Sequence, residues 1–230
     1  MASDTTGPGS PHYPSYYRPG LWKALAPAYD PLVRLVFSFF GGERRVRRAI
    51  VEFADLHPGE QALDVGCGTG SLTVMLGERV GPGGRAVGVD LSAAMIGRAS
   101  RKTRVPWVSF KMANTESLPF PDGSFDKAFL SFSIHEMPEA ARANTLREIG
   151  RVLKASGGLF VLEYALPENP LARLLTKAFI RLAEEEPARR MVLQRTLVSE
   201  VERAGFAVIR QQLYAAPIQM LSAVKAPSAK

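Results

Sequence analysis

The chain has 230 residues, 46% of them hydrophobic and 22% charged, with a formal net charge of +7. That length and apolar share fit one folded domain with a substantial core, and exclude a small disulfide scaffold or a wholly disordered chain. The single cysteine, Cys67, excludes an internal disulfide and a cysteine zinc site, and His12, His57 and His135 stand too far apart in sequence to suggest a metal.

Residues 1–19 carry Pro8, Pro11, Pro14 and Pro19 among polar residues and read as a disordered tail, with no apolar core of a secretory signal. Residues 20–225 read as one domain. Its first part, 20–57, is expected to be a helical lid or substrate segment. Within it, Leu21 to Phe40 form a dense apolar stretch broken by Pro27 and Pro31. The stretch is too short and interrupted to span a bilayer. It can pack on the core or close over a site; contact of 20–48 with a lipid surface, with arginines behind it, is the other use. Two basic clusters, Arg44-Arg45-Val46-Arg47-Arg48 and Arg98, Arg101, Lys102 and Arg104, read as solvated helix faces. No aromatic residues interleave with them, so nucleic acid is not expected as a partner.

From Gln61 the signals alternate. Strands are expected at 61–66, 85–90, 107–112, 125–132 and 159–164, with helices at 70–79, 92–101 and 138–153 and a turn at Ser156-Gly157-Gly158. Such alternation predicts an α/β fold, a Rossmann-like, doubly wound, mostly parallel sheet with helices on both faces. Helices over 170–186 and 191–204 follow, with 167–195 read as a helical insert. Strands at 206–214 and 217–224, separated by Ala215-Ala216, predict a C-terminal antiparallel hairpin and a seven-stranded sheet.

The chemistry concentrates at two strand ends. The first strand runs into Asp64-Val65-Gly66-Cys67-Gly68-Thr69-Gly70, and the second ends at Asp90. Glycine leaves bare backbone for a ligand, and open parallel sheets bind ligands at the carboxyl ends of their strands. Asp90 can accept hydrogen bonds from two ribose hydroxyls. Asp64 sets a negative charge where a pyrophosphate would rest and would repel it. Acid and glycine turn together favour a cofactor with a ribose and an ammonium and without phosphate. Cys67 has no neighbouring base in the motif and reads as a small turn residue rather than a nucleophile.

Taken in order, Leu63 to Gly70, Val87 to Ser92 with Met95, Ala113 to Phe120, Phe125 to Ala128 and Arg151 to Gly158 resemble the successive motifs of class I S-adenosylmethionine-dependent methyltransferases. Ala26-Pro27-Ala28-Tyr29-Asp30 resembles an N-terminal element of their ubiquinone/menaquinone biosynthesis group. The likeness runs over residues 26–165, and Asn114 replaces the usual acid of the third motif. This resemblance implies S-adenosylmethionine as cofactor, with S-adenosylhomocysteine as product. It implies that Gly66, Cys67, Gly68 and Gly70 line the methionine part and that Asp64 lies near the ammonium. Asp90 would hold the ribose, Leu91 and Met95 flank the adenine, and Asn114 and Thr115 meet its edge. Ser131 and Phe132 would face the methionine and sulfonium, with Tyr29 as a lid. His135, beside Glu136 at the cleft rim, is the candidate general base.

The acceptor implied is a small, apolar molecule like a quinone precursor. Phospholipid head-group N-methylation at a membrane surface, binding of S-adenosylmethionine without turnover and a dinucleotide-dependent dehydrogenase are the alternatives. A cytoplasmic protein, with or without peripheral membrane contact, is expected. No metal is expected, and the oligomeric state stays open.

Overall fold

The computed structural model describes residues 13–226, so most of the expected disordered tail lies outside the described residues. Seven strands form one sheet: β1 (Gln61–Val65), β2 (Arg85–Asp90), β3 (Val108–Met112), β4 (Phe125–Ser131), β5 (Leu153–Tyr164), β6 (Phe206–Ala215) and β7 (Ile218–Lys225). Their order is β3-β2-β1-β4-β5-β7-β6. The first five run parallel, and β7 lies antiparallel between β5 and β6. The expected Rossmann-like sheet and terminal hairpin are therefore present. The turn expected at Ser156-Gly157-Gly158 is absorbed into β5, which starts at Leu153 and pairs with β4 through a register shift between Phe125 and Lys127.

Helices cover both faces, which explains why the central strands are apolar without alternation. In β1, Leu63 and Val65 enter one core with Val87, Leu130 and Ile149. Ala62 enters the other with Ile50, Leu72, Leu76 and Phe129. Helices α3 (Ser71–Val80) and α4 (Ala93–Ala99) follow β1 and β2, and α5 (Glu139–Val152) precedes β5. Strand order reverses between β1 and β4, so the crevice of this sheet opens at their carboxyl ends.

The N-terminal segment differs from its sequence reading. Pro27 and Pro31 do not break it; both lie inside one helix, α1 (Pro19–Ser38). Each removes one backbone donor, but both are exposed and four residues apart. The unpaired carbonyls therefore face water on one side of the helix. Helix α2 (Glu43–Phe53) follows and buries Val46, Ile50 and Val51. The insert also departs from expectation. Helix α6 (Pro170–Ala183) is followed by α7 (Glu186–Gln194) and α8 (Leu197–Arg203) where one helix was expected. Arg195, at φ 58°, sits in the left-handed region that ends α7.

Gly70 lies at the start of α3 with φ +78°, and a Cβ there would come within 2.5 Å of the Phe110 ring and 2.9 Å of Ala99 Cβ. It is thus a packing glycine under the turn. Replacement by alanine combines left-handed strain with overpacking, and we expect a loss of about 2–4 kcal/mol in urea unfolding. A loss near zero would contradict this packing role.

Candidate active site

The turn after β1 passes directly beneath the end of β2. Asp90 Oδ2 accepts from the Gly68 N–H and Oδ1 from the Ser92 N–H, both at 2.8 Å. Each carboxylate oxygen keeps a further lone pair, so a pair of neighbouring hydroxyls can still be accepted. Burial raises the Asp90 pKa, and the two backbone donors oppose that shift. Gly68, at φ +53°, turns bare backbone toward Tyr29, whose ring would lie 3.8 Å from a Cβ added there. Tyr29 itself is pushed up to about 12, chiefly by burial.

Above this floor lies a cavity of about 350 Å³, within the usual range for small-molecule sites. Gly66, Gly68, Asp90, Leu91, Met95 and Thr115 line one side, and Phe132, Ser133, His135, Glu136 and Met137 another. Helix α1 closes it with Leu21, Trp22, Leu25 and Tyr29, while Glu184, Glu185 and Ala188 come from the α6–α7 region. Tyr16, Tyr17 and Arg18 also line it. Those three belong to the stretch 1–19 read as a disordered tail, and they contribute to the cavity wall. Tyr16 is held in place by donating its hydroxyl to Glu116 Oε1 at 2.9 Å.

His135 sits on the short 3-10 turn Ile134–Glu136 that follows β4. Glu163 stands near the end of the neighbouring strand β5, and parallel pairing brings the two together. Nδ1 of His135 lies 2.9 Å from both Glu163 carboxylate oxygens. Glu163 is fully buried and also accepts the Tyr164 N–H at 2.8 Å. The other ring nitrogen, Nε2, is 3.8 Å from Glu184. Burial alone would lower the pKa of His135; the Glu163 charge and hydrogen bond overcome it and push it up to about 9. With its pKa pushed up to that value the ring keeps a proton on both nitrogens at neutral pH, so it is placed as a hydrogen-bond donor and not as the general base expected from the sequence. Glu136 is open to the cavity but ringed by protein. Removal from bulk water pushes it up to about 8, with His135 pulling the other way and Asp90 adding to the rise.

Five residues implied by the resemblance do not line the cavity. Asp64 is buried beneath the turn, where Oδ2 accepts from the Thr73 hydroxyl at 2.6 Å, and burial lifts it to about 6. Gly70 packs on Phe110, as above. Cys67 turns its thiol toward Gly88, and burial, with Asp64 and Asp90 nearby, pushes that thiol up. Asn114 uses Oδ1 to accept from the Glu116 N–H at 3.0 Å. Ser131 accepts from Arg47 Nη1 at 3.2 Å. Arg47 in turn pairs with Glu43 at 2.9 Å, so this member of the first basic cluster faces inward and is not solvated. Thr115 does reach the cavity wall, with its hydroxyl shared with Thr145 at 2.9 Å.

An acid closing β2 with bare glycine backbone below it suits the ribose of an adenosine cofactor. Leu91 and Met95 add apolar surface beside the acid. The residues present therefore fit S-adenosylmethionine, and with this strand order they define a class I S-adenosylmethionine-dependent methyltransferase. The chain belongs to the ubiE/COQ5 methyltransferase family, whose model matches residues 18–220. It is 34% identical to an uncharacterised methyltransferase of Synechocystis over 81% of this chain and 85% of that one. It is 37% identical to a ubiquinone/menaquinone biosynthesis C-methyltransferase of Shewanella, over 67% of this chain and 61% of the relative. Among solved structures, a SAM-dependent methyltransferase from Aquifex aeolicus shares the fold with a TM-score of 0.66 at 20% identity, covering 90% of this chain and 98% of the other. No helix among the described residues is long and apolar enough to cross a membrane.

Proposed function

We propose that this methyltransferase acts on a ring carbon of a small, apolar hydroquinone. The observation that carries the reading is His135, backed by the buried Glu163, facing a cavity whose wall also offers the aromatic and apolar faces of Trp22, Tyr29, Phe132 and Met137. The Shewanella relative's name, a C-methyltransferase of quinone biosynthesis, points the same way. Bound S-adenosylmethionine supplies an electrophilic methyl group on a cationic sulfur. The protein has to place an electron-rich carbon in line with it and exclude water.

A phenol ring becomes a carbon nucleophile when its hydroxyl loses its proton. Nε2–H of His135 can donate to that oxygen and stabilise the developing anion. Glu136 is open to the same cavity and, in its ionised form, is a stronger base than an ordinary carboxylate because its pKa is pushed up to about 8, which suits it to accept the proton. Trp22, Tyr29 and Phe132 offer flat surfaces for the ring. Glu163 touches neither partner directly and acts as a positioning residue for His135.

The test is methyl transfer to short-chain benzo- and naphthohydroquinones, followed by S-adenosylhomocysteine release and mass spectrometry. The expected product carries the methyl in place of a ring hydrogen and keeps both hydroxyls, because the proton lost from that carbon as the ring re-aromatises replaces the one the phenol oxygen gave up. A methoxy product, or no turnover by a chain that binds S-adenosylhomocysteine, would overturn the reading.

A further inference from the structure

Helix α6 is turned inside out. Its buried side chains are Thr176 and Ile180, while Leu171, Leu174, Leu175 and Leu182 face outward, with Leu182 86% exposed. Their spacing places them on one stripe of the helix. Helix α1 carries a second stripe, Leu21, Leu25, Leu32 and Leu35, continued by Phe39 just past its end, with Phe39 81% exposed. Surface on this scale marks a contact with something apolar.

Both stripes border the cavity mouth. Leu21 and Leu25 belong to the stripe and to the cavity wall, and Glu184 and Glu185, just past α6, line the same cavity. A run of rings joins the two helices: Phe37 of α1 lies 5.2 Å from Phe132, Phe132 lies 5.2 Å from Tyr164, and Tyr164 lies 6.0 Å from Phe179 of α6. Arg18 and Glu185 approach to 3.6 Å across the mouth.

Charge identifies the occupant. Helix α6 holds Arg173, Lys177 and Arg181 and no acid. The one acid of α1, Asp30, is taken by Lys102 at 3.0 Å, which leaves Lys23 and Arg34. On α6, Lys177 and Arg181 border the leucine stripe, while Lys23 and Arg34 lie on the far side of α1 from its stripe and add only to the overall positive charge. Leucines edged by cations suit an anionic bilayer, whereas a second copy would meet the same positive charge. We propose that α1 and α6 together dock on an anionic lipid surface, so that the cavity mouth opens into its apolar layer. This docking does not depend on which acceptor is methylated.

The test is flotation of the full chain with phosphatidylcholine vesicles, with and without phosphatidylglycerol. Binding to the anionic vesicles is expected to exceed binding to the neutral ones by about tenfold or more and to weaken with salt. The variant Leu174→Ser/Leu175→Ser/Leu182→Ser should lose about tenfold or more of that binding, while still binding S-adenosylhomocysteine like the parent. Lys177→Gln/Arg181→Gln leaves the apolar stripe intact and should lose about tenfold on anionic vesicles only. Ile209→Ser/Leu213→Ser removes exposed apolar residues of the edge strand β6 and should change nothing. The proposal is overturned by absence of flotation, by equal loss in the β6 variant, by less than twofold loss in the charge variant, or by a dimer in sedimentation that the α6 variant dissolves. A wrong acceptor would leave all of these lipid results standing.

Discussion

Replacing Asp90 with asparagine weakens S-adenosylhomocysteine binding in calorimetry by about 10² to 10⁴-fold, because two hydrogen bonds to a charged acceptor are each worth about 1.5–3 kcal/mol. The geometry makes the exchange worse than its size suggests. Both carboxylate oxygens accept from backbone N–H groups, one from Gly68 and one from Ser92. An asparagine has one acceptor and one donor amide, so its NH₂ must face one of those two donors in either orientation. The glycine turn then loosens in the same step that removes the hydroxyl acceptor. The loss should be larger for S-adenosylmethionine than for the homocysteine product, since only the former carries the sulfonium charge that Asp90 attracts. Thermal unfolding without ligand separates the two effects: a folded variant with unchanged affinity would remove Asp90 from the cofactor site.

Asp90 was legible because its signal is local. An acid at the end of an apolar strand, a glycine turn one strand earlier and the spacing between them all lie in short stretches of chain. The sheet was legible for the same reason, through alternating apolar runs and turn residues. What escaped is what depends on contacts between distant parts of the chain. Glu163 reads as an ordinary residue near a strand end until parallel pairing of β4 and β5 sets it beside His135. Tyr16 and Tyr17 stand in a proline-rich stretch whose composition speaks for disorder, and only their contacts with the folded domain order them. Asp64 shows the opposite error. Its place in the motif suggested the ligand side of the turn, but strand alternation and the Thr73 hydroxyl direct it inward. Arg47 was hidden within a run of arginines; helical spacing pairs it with Glu43 and turns it away from its solvated neighbours. In α6 the leucines were visible and their direction was not, because periodicity gives a face without saying what that face meets.

The second large effect concerns Glu163 and its dependence on pH. In the parent chain the pKa of His135 is pushed up to about 9 and that of Glu136 to about 8, so an activity that needs the imidazolium and the Glu136 carboxylate rises with pH through about 8 and falls above about 9. Glu163→Gln keeps the side-chain shape and an acceptor for Nδ1–H but removes the charge that raises the ring. Burial, which lowers the pKa, is then unopposed by that carboxylate, and the alkaline limb moves to the ordinary histidine value of about 6.5 or below. At pH 8 the parent is mostly protonated and the variant only a few per cent so, which gives a loss of about 30-fold in kcat. Near pH 5.5 the two should approach one another. His135→Ala should lose about 10² to 10⁴-fold at every pH, since no donor remains. Stability follows the same sign. A histidine whose folded pKa lies above its unfolded one contributes stability below about pH 6.5, and that contribution is lost as pH rises through about 9. The parent should therefore lose its advantage over Glu163→Gln in urea unfolding across that window. A variant with the same fractional activity from pH 5.5 to 9 would show that Glu163 holds the fold of the site and not the charge on His135. A shifted alkaline limb with S-adenosylhomocysteine affinity unchanged would assign the pair to the acceptor side of the reaction, because the cofactor contacts at Asp90 do not depend on the proton His135 carries.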